Sequence, residues 1–195
     1  MSTALTAPEF SPATRAAHTL TTAATPAVAA VDVPRGPGLF GLVADAEAQR
    51  VLGRALGEAR AFEHVAGLLH IGHAADVSRA ARSVFHAGRT ATVGVRQRLA
   101  ALLADELGLA VAPVSAGVRR PGVELTSDSE ERLSAWLREH VGVRTWQDGD
   151  ACAEVHARVV ADVAPVLTRA QVPGRGPAVD AASERLRAAR PSATL

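Results

Sequence analysis

Two short apolar runs on either side of a helical segment limit the folds open to this chain. Gly38-Leu39-Phe40-Gly41-Leu42-Val43 and residues 65–71 are each fenced by turn residues and too short for buried helices, so both read as strands, the second ended by Gly72. Between them Asp45 opens a helix that carries Val51, Leu52, Ala55 and Leu56, and Gly57 stops it. Residues 76–86 and 91–107 read as two more helices, the second with Val95, Leu99, Leu102, Leu103 and Leu107 at helical spacing. Residues 109–114 read as a strand or an extended loop. Ser127-x-x-Glu130 reads as a capping box at the head of a helix with Leu133, Trp136, Leu137 and Val141. Residues 143–146 read as a third strand, and a last helix over 151–163 stops before Pro165. Strands interleaved with helices predict an α/β or α+β domain, a small sheet covered by helices.

Hydrophobic residues make up 48% of the chain and aromatics 3%, so the core must be built from Leu, Val and Ala. The chain contains no Lys, no Tyr and no Asn, and all 21 basic residues are Arg. No lysine can therefore clamp a phosphate or form a Schiff base, and no tyrosine can move a proton. The single cysteine, Cys152, excludes an intrachain disulfide and a thiolate metal cluster, and it fits a reducing, cytoplasmic setting. No run approaches the roughly 20 apolar residues of a membrane helix, so no membrane partner is expected. Nothing in the sequence marks an oligomer surface. Net charge is +1, so any basic character must be local. Residues 1–33 are rich in Ala, Thr and Pro and read as a disordered tail. Residues 34–172 read as the domain. From Pro173 onward Pro and Gly break the chain, and residues 173–195 read as a flexible tail with a short polar helix near 180–190.

Two motifs carry chemistry. His70-Ile71-Gly72-His73 spells the HIGH signature of class I aminoacyl-tRNA synthetases and related nucleotidyltransferases, but those enzymes also use a lysine-bearing loop, which this chain lacks. The second motif covers more of the chain. Gly38-Leu39-Phe40 and His70-Ile71-Gly72 occupy the places of the two tripeptides of the GIY-YIG nucleases. Val95-Arg96-Gln97-Arg98-Leu99-Ala100-Ala101-Leu102-Leu103, the acidic-capped helix with Trp136, and Pro165-Val166-Leu167-Thr168 follow in the order of one bacterial branch. Over residues 37–168 the chain thus resembles a degenerate GIY-YIG protein.

The resemblance implies a small three-stranded, mainly antiparallel sheet flanked by helices. It implies phosphodiester hydrolysis on DNA, by a water activated with Mg²⁺ or Mn²⁺ as Lewis acid. Phe40 stands for the first tyrosine and has no hydroxyl; His70 stands for the second and can act as a base near neutral pH. Arg79 or Arg82 takes the place of the arginine on the scissile phosphate. The glutamate ligand falls at His156, with Glu154 two residues earlier and about 200° away on the helix. A register shift bringing in Glu154, a His156 ligand and a lost metal site are all open. Thr168 replaces the terminal asparagine.

Between residues 77 and 98 stand Arg79, Arg82, Arg89, Arg96, Arg98 and His86, with no acid among them. Arginine gives bidentate phosphate contacts, so this strip is a candidate nucleic-acid surface. It serves either an endonuclease or a non-catalytic module of the same fold that binds nucleic acid or protein.

Overall fold

A computed structural model describes residues 11–22, 27–57, 62, 65–113, 122–147, 152–168 and 176–189. The elements run α1 (Pro12–Thr21), a 3-10 turn (Ala30–Asp32), β1 (Gly38–Ala44), α2 (Ala46–Leu56), β2 (Leu68–Ala74) and α3 (Val77–Phe85). They continue with α4 (Gly94–Leu102), α5 (Ala104–Leu107), α6 (Ser127–His140), β3 (Val141–Trp146), α7 (Cys152–Val163) and α8 (Gly176–Ala188). The strands form one antiparallel sheet in the order β2-β1-β3. The fold is α+β, a small sheet flanked by helices, as the sequence predicts.

The central strand β1 is buried along its whole length because both faces of the sheet are covered. Its side chains alternate between two cores. Phe40, Leu42 and Ala44 enter the larger one, with residues of α2, α3, α4, α6 and α8. Leu39 and Val43 enter the smaller one, with Ile71, Trp146, Ala16 and Leu20 of α1, and Val155, Val159 and Val160 of α7. Gly72 lies opposite Phe40, and a Cβ built there would meet the phenyl ring at 2.6 Å, so the glycine makes room for the ring.

Several expectations change. The helix read over 91–107 is two, α4 and α5, and Val141, read as helical, opens β3. The segment read as an N-terminal tail supplies a layer of the fold: Ala16 and Leu20 are fully buried, and Val28 bridges Val143 in both directions. The buried Arg144 of β3 donates to the Leu20 carbonyl at 3.0 Å and holds the end of α1. Beyond Pro173, α8 packs on α4 and buries Val179, Ala182 and Leu186. Residues 1–10 and 190–195 lie outside the described ones. The second strand starts at Leu68, after a turn at residues 65–67, and continues through Gly72 to Ala74, because the pairing with β1 runs from Val43 to Gly38. Last, no capping box forms at α6: the N-cap is Thr126, and the Glu130 carboxylate turns to Arg96.

Candidate functional site

The residues singled out by sequence fall into three places. The first is on the larger-core face. Leu42 pairs with His70 and Phe40 with Gly72, so the two tripeptides lie side by side, with the Phe40 and His70 rings edge to face at 6.3 Å. His70 Nδ1 lies 3.2 Å from Thr168 Oγ1. The Leu167 N–H donates to the Leu69 carbonyl, and Arg98 donates to the Leu167 carbonyl, which fixes residues 165–168 against β2. Arg98 is thus half-buried and ties the chain together, where the sequence reading puts it on the nucleic-acid surface. Burial pushes the His70 imidazole down to about 4, and the Arg98 and His156 charges push the same way. A neutral, half-buried imidazole bonded to Thr168 is poorly placed as a base near neutral pH.

The second place is the opposite face. His70 and His73 are three apart on one strand, and His73 points to α7 and packs against His156, ring centroids 4.8 Å apart and the planes tilted by 44°. The HIGH string therefore lies within a strand and splits its two histidines between layers. His156 Nε2 lies 3.2 Å from the Ile71 carbonyl, which accepts its proton, while Glu154 is exposed on α7. Burial pushes the His156 imidazole down, and the Ile71 carbonyl opposes that shift. The sheet stands between these residues and the Phe40–His70 pair. The Mg²⁺ or Mn²⁺ implied by the resemblance does not fit this arrangement. His156 reaches the second tripeptide only through the Ile71 carbonyl, on the face away from Phe40, Glu154 is exposed on α7, and no group of three or more His, Cys, Asp or Glu among the described residues could hold an ion.

The third place is a cleft on α3. The helix buries Val77, Ser78, Ala81, Val84 and Phe85, so Arg79, Arg82 and His86 stand on its outer face. Arg35 and Arg89 join them around a cavity of about 400 Å³. The Asp76 carboxylate also lines it and accepts the Arg79 backbone N–H at 3.2 Å as the cap of α3. Arg82 is held by the Ser78 hydroxyl. Arg35, Arg79, Arg82 and Arg89 form no ion pair among the described residues. Arg50, Arg54, Arg96, Arg158 and Arg187 all pair with carboxylates. Arg35 entered no sequence reading; its position at the Pro34-Arg35-Gly36-Pro37 turn leading into β1 was the available signal.

Arg96 leaves the strip altogether. It is fully buried, and its Nη2 lies 2.7 Å from Glu130 Oε2 and 2.7 Å from Ser134 Oγ. It also donates to the Val84 carbonyl at 2.7 Å and to Thr90 Oγ1 at 2.9 Å. Burial pushes the guanidinium down from its ordinary value, and the Glu130 carboxylate beside it opposes the shift. Spacing along the chain cannot distinguish such a buried hub from a solvent-facing arginine.

Arg119 and Arg120 lie outside the described residues. No helix among the described residues is long and apolar enough to cross a membrane. Comparison with protein-family models, with curated proteins and with solved structures finds no match for this chain.

Proposed function

We propose that this chain is a nucleic-acid-binding module on a GIY-YIG-like fold that holds phosphates without hydrolysing them. The observation that carries this reading is the α3 cleft, where Arg35, Arg79, Arg82 and Arg89 converge with no carboxylate among the described residues paired to any of them. Four cations kept close together against their mutual repulsion favour an anionic partner. The kinship with the nuclease fold is supported by the adjacent tripeptide strands and by Phe40 and His70 sharing one face.

Hydrolysis in that family's manner needs proton transfer, an arginine and a metal-bound carboxylate at one phosphate. Here His70 is half-buried with its pKa pushed down to about 4, Arg79 and Arg82 open outward from α3, and Glu154 is exposed on α7, which covers the other face of the sheet. That separation favours binding over cleavage.

The test is fluorescence anisotropy of the full chain with duplex DNA across a salt series. Four arginines on phosphates predict a slope of log K against log[salt] of about −3 to −4. Arg79→Ala and Arg89→Ala should each weaken binding and flatten the slope by roughly 1. Supercoiled plasmid with Mg²⁺ or Mn²⁺ should stay uncut. Nicking that His70→Ala abolishes would restore the endonuclease reading, and the absence of salt-dependent binding to duplex and single strands alike would refute the module.

A further inference from the structure

Beside the arginine cleft lies a second hollow of different character. It encloses about 410 Å³, within the roughly 300–1,000 Å³ of small-ligand sites. Its lining includes Ala29, Ala30, Phe85 and Val141, with Arg138 at its edge. Arg82 and His86 line both the hollow and the arginine cleft, so the two compartments meet along one wall. Val31, in the 3-10 turn, also lines the hollow; it is 73% exposed and is the one exposed large hydrophobic among the described residues. No carboxylate lines the hollow among those residues.

Resting on the reading of the cleft as a phosphate site, we propose that its ligand is a single-stranded nucleic acid, with one unstacked base seated in the apolar hollow. A phosphate on Arg79 and Arg89 would leave the base of the same or the next nucleotide beside Arg82, His86 and Phe85. A planar guanidinium and an imidazole at the edge of an apolar wall offer a base both stacking and cation–π contacts. An apolar hollow flanked by cations disfavours a cationic ligand, and an uncharged apolar ligand would leave the adjoining arginines unused. Duplex DNA keeps its bases in the helical stack, so it could satisfy the cleft but could not fill the hollow without base flipping.

The experiment compares full-length protein binding to four labelled ligands of about 20 nucleotides: oligo-dT, oligo-rU, an abasic strand with the same number of phosphates, and a duplex. We expect oligo-dT or oligo-rU to bind about 10-fold more tightly than the abasic strand, the effect of one stacked base. Ala29→Leu and Ala87→Leu narrow the hollow at positions exposed enough to leave the fold intact. Each should bring the base-bearing strand toward the abasic affinity while leaving the duplex affinity unchanged. Equal affinity for base-bearing and abasic strands, or a preference for duplex, overturns the base site and leaves the phosphate-binding reading in place. The absence of salt-dependent binding to all four ligands overturns both.

Discussion

Arg96→Met tests whether the fully buried arginine is a structural hub. The substitution keeps much of the aliphatic volume and removes every donor. The Glu130 carboxylate, 6% exposed as a residue, then loses its ionic partner, and the Val84 carbonyl loses a 2.7 Å bond in the core. Glu130 Oε1 still accepts the Thr90 N–H at 3.2 Å, which offsets a small part of the loss. Breaking a buried ion pair by removing one partner costs about 3–5 kcal/mol. We expect about 4 kcal/mol, which at about 2 kcal/mol per molar urea lowers the midpoint by about 2 M. The double variant Arg96→Met/Glu130→Gln should be more stable than the single one, because no uncompensated charge stays inside. Arg79→Met, on the exposed face of α3, should change stability by less than about 0.5 kcal/mol. Urea unfolding followed by circular dichroism, with nucleic-acid affinity measured on the folded variants, checks all three. A cost below about 1 kcal/mol for Arg96→Met, together with lost binding, would refute the hub and return Arg96 to the surface strip.

Gly72→Ala should cost about 1–3 kcal/mol, because its Cβ would stand 2.6 Å from the Phe40 ring. Adding Phe40→Leu should recover part of the loss, which thermal unfolding of the pair would show. His70, with its imidazole pushed from 6.5 down to about 4, should give the fold a stability contribution that is fully present above pH 6.5. Between pH 6.5 and 4 the unfolded chain takes up a proton there that the folded chain refuses, so stability falls as pH falls. The span is on the order of 3 kcal/mol, and His70→Gln should flatten that part of the profile in urea melts at a series of pH values.

Much of the fold was legible in the sequence. The run at residues 38–43, residues 68–71 of the second run and residues 143–146 are strands, and the helical spacing of Val51, Leu52 and Leu56 and of Leu133 and Leu137 marks buried faces. Less of the site was legible. Arg79, Arg82, Arg89 and His86 share one cleft as the charge run suggested, but Arg96 and Arg98 from the same run turn inward. The α1 and α8 segments read as tails because their buried residues are few, mostly Ala, Leu and Val in polar or Pro-rich surroundings. The surfaces they cover belong to elements far away in the chain.

Short-range order came from the sequence alone: apolar runs fenced by turn residues, helical spacing and a core of small aliphatic residues can all be read along the chain. Tertiary structure decided which side of the sheet each side chain serves. Residues three apart on a strand point to opposite faces, so His70 and His73 part company. A neighbour as distant as Glu130 decides whether an arginine is a buried hub or a surface cation. Charge meets charge through space, and chain position does not encode that distance.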